Sequence, residues 1–157
     1  GSWLTWMQDR QSPVFVVATA NDVTSLPPEL LRKGRFDEIF FVDLPNLIER
    51  KKIFEIHIQK RQRNISNFNI EELSKLSEYF TGAEIESAIE SAMYDAFSDN
   101  KREIQTSDIM ASLKSSVPLA KLMENDIQYL REWAKNRARN ASTLPIEFLL
   151  KSDEEDL

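Results

Sequence analysis

The sequence predicts an α/β fragment, the end of a parallel sheet, followed by an all-helical part. Three observations point that way. Two runs, Val14-Phe15-Val16-Val17-Ala18-Thr19-Ala20-Asn21 and Ile39-Phe40-Phe41-Val42-Asp43-Leu44-Pro45, are apolar at consecutive positions, as in strands covered on both faces. The piece between them carries helix punctuation. From Asn46 onward the apolar spacing changes from a strand period to a helical one.

Each element has its own warrant. Trp3-Leu4-Thr5-Trp6-Met7-Gln8 reads as the last turns of a helix, so the chain reads as a fragment beginning inside an element. Asp9 to Pro13 is a polar turn, and the Val14–Thr19 run then reads as the first buried strand. Pro27 and Pro28 suit a helix's first turn, where a missing N–H costs nothing. Gly34 suits the left-handed position just past its end. Ile39 to Leu44 reads as the second strand, closed by Pro45. Two such strands with a helix between them make a βαβ unit of a parallel sheet. This piece is too small to stand alone, because two parallel strands lack neighbours on at least one edge.

The remainder reads as helices. Asn46 to about Arg61 carries Leu47, Ile53, Phe54, Ile56, His57 and Ile58. Asn69 with Glu72, and Thr81 with Glu84, are candidate capping boxes. The helix after Thr81 carries a clean stripe of Ile85, Ala88, Ile89, Ala92, Met93, Ala96 and Phe97. Thr106 or Ser107 would cap the next helix. Pro118 would begin the longest one, with Leu119, Leu122, Met123, Ile127, Leu130 and Trp133 at spacings of three and four. The acidic end, Ser152 to Leu157, reads as a tail. The chain thus divides at 1–45, 46–117 and 118–157.

Composition narrows the function. The 157 residues are 41% hydrophobic and 29% charged, a folded-domain composition. A net charge of −6 disfavours nucleic acid as a partner. There is no cysteine, so thiol chemistry is excluded, and one histidine, His57, makes a histidine-rich metal site a poor expectation. No metal ligands are assigned. No apolar run approaches the roughly 20 residues of a membrane-spanning helix, and no membrane partner is expected.

Several residues could carry chemistry. Asn21 directly follows a strand, where ligands bind in open α/β sheets; it could equally start a turn with Asp22. Arg32 and Arg35 flank Lys33-Gly34 at a helix end. Their guanidinium groups suit bidentate phosphate recognition, or else complement the helix dipole and pair with Asp37 or Glu38. His57 sits in an apolar stripe, the usual place of a core histidine. Gly82-Ala83 opens a helix, where small residues admit either a ligand or a close helix neighbour. Lys135, Arg137 and Arg139 read as a solvated helix end.

Taken together, these motifs resemble the AAA+ ATPase family. Val16-Val17-Ala18-Thr19-Ala20-Asn21 is similar to that family's sensor 1 strand. Leu26 to Asp37 is similar to its second region of homology, with Arg32 and Arg35 at the two arginine-finger positions. Ile56-His57 matches the helix whose histidine lies near the adenine, and Thr81-Gly82-Ala83-Glu84-Ile85 the lid segment whose Gly-Ala backs the base. The resemblance covers roughly residues 3 to 115. The wording from Leu26 to Pro45, and the helix after 118, are most similar to the stand-alone AAA proteins of chloroplast genomes and cyanobacteria. The fold implied is the end of a P-loop-type sheet, an AAA+ lid and a C-terminal helical extension.

The sequence also departs from that family. It contains no G-x-x-x-x-G-K-S/T and no apolar strand ending in Asp-Glu. The resemblance therefore implies the C-terminal half of a module. Asn21, Arg32 and Arg35 would act in catalysis, and His57, Gly82 and Ala83 would hold nucleotide. ATP with Mg would bind the complete module, with none expected on this chain alone, which is expected to be inactive. Neighbouring AAA+ subunits, in a hexameric ring, and a client of unknown nature are the implied partners. Plastid stroma or cytoplasm is the implied compartment. The other reading is a non-enzymatic helical interaction module or pseudo-ATPase scaffold.

Overall fold

The computed structural model describes residues 13–31 and 36–142. Arg32 and Arg35, the N-terminal helix end and the acidic tail lie outside the described residues. The architecture is a short parallel two-stranded sheet followed by a mostly helical segment, the fold class expected from the sequence. Its helical centre is built from α1 (Leu47–Lys60), α2 (Ile70–Leu76), α3 (Gly82–Ser98) and α4 (Thr106–Ser115). Phe54 and Ile58 of α1 meet Leu73 of α2, Ile85, Ala88, Ile89 and Ala92 of α3, and Ile109 and Leu113 of α4 in one buried core. Most of the stripe after Thr81 buries, but Phe97 stays 62% exposed, Ile56 of the first stripe 49% and Leu122 of the last 72%.

The caps explain where these helices begin. Asn46 Oδ1 accepts from the Glu49 amide at 2.9 Å while Glu49 Oε2 accepts from the Asn46 amide at 3.0 Å. Thr81 and Glu84 form the same reciprocal box at the head of α3. At Asn69 only half of the expected box forms: its Oδ1 accepts from the Glu72 amide at 3.2 Å, while the Asn69 amide donates to the Thr106 hydroxyl at 3.1 Å. Each cap satisfies amides that the first helical turn leaves without a partner. The α4 cap falls one residue earlier than expected, at Gln105. There Asp108 accepts from the Gln105 amide at 2.8 Å and holds Arg102 with both oxygens at 2.7 and 2.8 Å.

A buried arginine joins α1 to its surroundings. Arg50 is 1% exposed. Its Nε donates to the Ser74 carbonyl at the end of α2 at 3.0 Å, and its Nη1 donates to the Pro45 carbonyl at 2.9 Å. The stretch that leads into the helices is thereby tied to the far end of α2.

Four sequence expectations are corrected. The Val14–Thr19 run forms no strand and is not buried on both faces: Phe15 is 90% exposed and Val17 75%. An apolar run becomes a central strand only when strands lie on both sides of it, and the described residues supply none. The second strand shrinks to β1 (Phe40–Phe41), with Phe40 exposed, because its described partner, β2 (Arg139–Asn140), is equally short. Of the helix expected between the runs, the described part is a 3-10 turn, Pro28–Leu31. The long helix expected from Pro118 is broken at Met123 (φ −115°, ψ 30°) into α5 (Leu119–Leu122) and α6 (Glu124–Ala134), so α3 is the longest described helix.

The basic end of that helix also differs from expectation. The chain leaves α6 at Ala134, and Arg139 and Asn140 pair in parallel with Phe40 and Phe41. The Arg139 amide donates to the Ile39 carbonyl at 2.8 Å and the Ala141 amide to the Phe41 carbonyl at 2.9 Å.

Candidate functional site

Sequence positions far apart meet around one cavity of 620 Å³. Its floor comes from the helices: Ile53 and Glu49 of α1, and Thr81-Gly82 at the start of α3. One side is the stretch Val42–Pro45 that joins β1 to α1. The rest comes from the C-terminal segment: Leu119, Ala120, Met123, Ile127, Ala141 and Ser142. The volume lies within the range of small-molecule sites, and most of the lining side chains are apolar.

Gly82 sits on the cavity wall, and its smallness is not explained by packing. A Cβ placed there would meet only Ile53 Cδ1 at 3.7 Å, an ordinary van der Waals distance. The close-helix-packing reading of this glycine therefore lacks a contact that requires it. Ala83, the next residue, is exposed and does not line the cavity.

His57 lies one turn beyond Ile53 on the same face of α1, and Glu86 lies one turn beyond Gly82 on α3. Their contacts are successive rungs of one seam: Ile53 against Gly82, then His57 against Glu86. The His57 side chain is only 18% exposed, and its Nδ1 lies 3.2 Å from Glu86 Oε1. Arg61 Nη2 donates to Glu86 at 3.1 Å and to Glu90 at 2.6 Å. The Arg61 hydrogen bond, aided by the charges of His57 and Lys60, holds the Glu86 carboxyl below the usual glutamate value. His57 is thus part of an ionic seam beside the cavity rather than a lining residue or an apolar core residue.

Asn21 is exposed in the loop that precedes the 3-10 turn and lies away from this cavity. Its neighbour Asp22 makes the turn. Asp22 Oδ1 accepts from the Thr24 amide at 2.8 Å and from the Thr24 hydroxyl at 2.6 Å. The Ser25 hydroxyl, followed by these Thr24 bonds, lowers the Asp22 carboxyl to about 2.

Sequence reasoning missed the residues that hold the C-terminal segment in place. Arg131 of α6 donates to both carboxylate oxygens of Asp43, Nε at 2.8 Å and Nη2 at 2.9 Å. Both side chains are mostly buried, at 15% and 16% exposure. Glu84 spans two segments: one oxygen caps α3, while the other accepts from the Leu119 amide at 2.7 Å. Asn46 Nδ2 donates to the Ser142 hydroxyl at 3.2 Å. Local pattern carries no sign of partners nearly ninety residues apart. The only available hint was an aspartate at the end of an apolar run.

Comparison with known proteins places these segments. Residues 2–44 match the model of the ATPase family associated with various cellular activities (AAA), and residues 67–111 match that of the AAA+ lid domain. The chain is 54% identical over 135 residues to the uncharacterized AAA domain-containing protein ycf46 of Guillardia theta, covering 85% of this chain and 26% of that protein. It is 53% identical over 144 residues to the protein of the same description from Pyropia yezoensis, covering 90% and 29%. A proteasome-activating nucleotidase of Saccharolobus islandicus is 34% identical over 119 residues, 76% of this chain and 29% of that protein. The chain thus spans between a quarter and a third of the length of these relatives. With AAA sequence ahead of the helices and an AAA+ lid within them, the chain belongs to the AAA+ ATPase family.

Proposed function

We propose that this chain supplies the sensor, the arginine fingers and the lid of an ATP-hydrolysing AAA+ module that couples nucleotide turnover to remodelling of a client. The observation that carries this reading is Gly82. It faces a cavity of ligand size at the head of α3, and no packing contact requires it to lack a side chain. In this reading 1–45 completes the α/β core, 46–117 is the lid, and 118–157 is an extension.

The donor set fits one end of a nucleotide. The apolar walls around Ile53 and Gly82 suit a planar base. The phosphate end has no such fit within these 157 residues. They contain no phosphate-cradling loop, and no cluster of three or more metal-binding side chains occurs among the described residues. When bound to the complete module, ATP with Mg supplies the phosphoryl group whose transfer to water drives the cycle.

The roles of this chain's residues follow. Gly82 presents bare backbone to the base, Ala83 follows it on α3 outside the cavity lining, and His57 borders the site from α1. In the complete module the Asn21 amide would orient water, and Arg32 and Arg35 would supply guanidinium charge to the nucleotide phosphates of a neighbouring subunit in a ring. The compartment that goes with this reading is plastid stroma or cytoplasm.

The test is Arg35→Ala in the full-length protein. Turnover should fall on the order of 10³-fold or more while ADP affinity is kept. An equal loss of both would show that Arg35 belongs to its own subunit's nucleotide pocket or to the fold, and not to a site in trans.

A further inference from the structure

The C-terminal segment 118–142 begins beyond the residues matched by the lid model. It is nevertheless built into the cavity wall. Several anchors hold it there, the Asn46–Ser142 hydrogen bond among them. The Leu119 amide is bound by Glu84 of the α3 cap, Arg131 grips Asp43 with two hydrogen bonds, and β2 pairs with β1. These anchors surround the cavity without filling it. Leu119 and Met123 keep 50% and 42% of their surface exposed, although both line it.

The break at Met123 matters here. It separates α5 from α6, and Met123 and Ile127, four residues apart, both line the cavity. Ile53 and Gly82 line the same cavity. Apolar groups from α1, the start of α3 and α6 around one space of 620 Å³ suit a flat heterocycle. A methionine thioether is a favourable neighbour for an aromatic ring, because it is polarizable and conformationally adaptable.

We propose that the 118–142 segment is the outer wall of the nucleotide-base slot, with Met123 and Ile127 as base-contacting residues and the Asp43–Arg131 pair as the clasp that positions them. This rests on the base lying at Gly82, as proposed above. In this arrangement the segment strengthens binding of the base and leaves the phosphates untouched. Arg131 is a positioning residue: it acts through its bonds to Asp43, which tie α6 to the stretch after β1.

The test uses the full-length protein with two probes, ADP and inorganic tripolyphosphate, titrated calorimetrically. In the Met123→Ala, Ile127→Ala double variant, ADP affinity should fall about tenfold, while tripolyphosphate affinity stays as in the wild type. Arg131→Ala should raise KM for ATP by a larger factor than it lowers kcat, and Arg131→Lys should recover part of the change. Thermal melts show whether each variant is folded. Unchanged ADP affinity in a folded double variant, beside a wild type that binds ADP, would overturn the wall. So would increased affinity, which would make the segment a cover over the site. A wild type that binds neither probe would overturn the nucleotide reading itself, and this inference with it.

Discussion

Replacing Arg50 tests whether the buried guanidinium is a structural tie. The side chain is 1% exposed and makes two charge-assisted bonds to carbonyls, at 3.0 Å to Ser74 and 2.9 Å to Pro45. Bonds of this type each contribute about 1.5–3 kcal/mol. Arg50→Ala removes both, but Ser74 keeps the Ser77 hydroxyl on its carbonyl at 3.1 Å, so that acceptor stays satisfied. The variant also removes the desolvation cost of a buried cation, several kcal/mol in the opposite direction. The packing of the arginine stem is lost as well. We expect a net loss of about 3 kcal/mol, corresponding to a drop of roughly 6–12 °C in Tm for a chain of this size. Urea unfolding followed by circular dichroism, with Arg50→Met beside Arg50→Ala, measures it. Met refills the volume without the charge and should recover part of the loss. If both variants unfold within about 0.5 kcal/mol of the wild type, the guanidinium does not hold α1, α2 and Pro45 together.

Three further outcomes are expected. Gly82→Ala should change unfolding stability by no more than about 0.5 kcal/mol, since the added Cβ meets only Ile53 at 3.7 Å; in the full-length protein it should weaken ADP binding, as read by calorimetry. Asp108 is held below the usual aspartate range by its Arg102 hydrogen bonds. Its folded-state value is the lower one, so its contribution is present above the unfolded carboxylate value, about 3.9, and is lost as pH falls through the folded value. The gap in urea midpoint between wild type and Asp108→Asn should therefore be wide at pH 7 and close at strongly acid pH. The isolated 157-residue chain should show no ATP binding in calorimetry with magnesium present, because its sequence holds no phosphate-cradling loop.

The helices were legible in the sequence because their determinants are local. Thr81 and Glu84 are three residues apart, and the stripe from Ile85 to Ala96 repeats every turn. The strands were not, because an apolar run such as Val14–Thr19 states only a preference for company. Its structure depends on neighbours that the described residues do not supply. The break at Met123 was hidden for another reason: the apolar spacing continues through it, and no glycine or proline marks it. The site was half legible. Gly82 could be named from its place after a cap, but the cavity it faces is closed by Met123, Ile127 and Ser142, brought there by the Asp43–Arg131 pair across a sequence separation of 88.

The pairing of Phe40 with Arg139 also bears on the order in which the molecule forms. The loop it closes encloses every described α-helix, and closing so long a loop costs entropy that two strand residues repay poorly. The helical contacts are short in range and fast to form, so they should assemble first, with the strand pair joining an already built helical body. The same hierarchy should hold in reverse. The amides of Arg139 and Ala141 should exchange with solvent through a small local opening, while those of Ile89 and Ala92 wait for global unfolding. The C-terminal side of the cavity should therefore detach and reseat many times between global openings of the helical core.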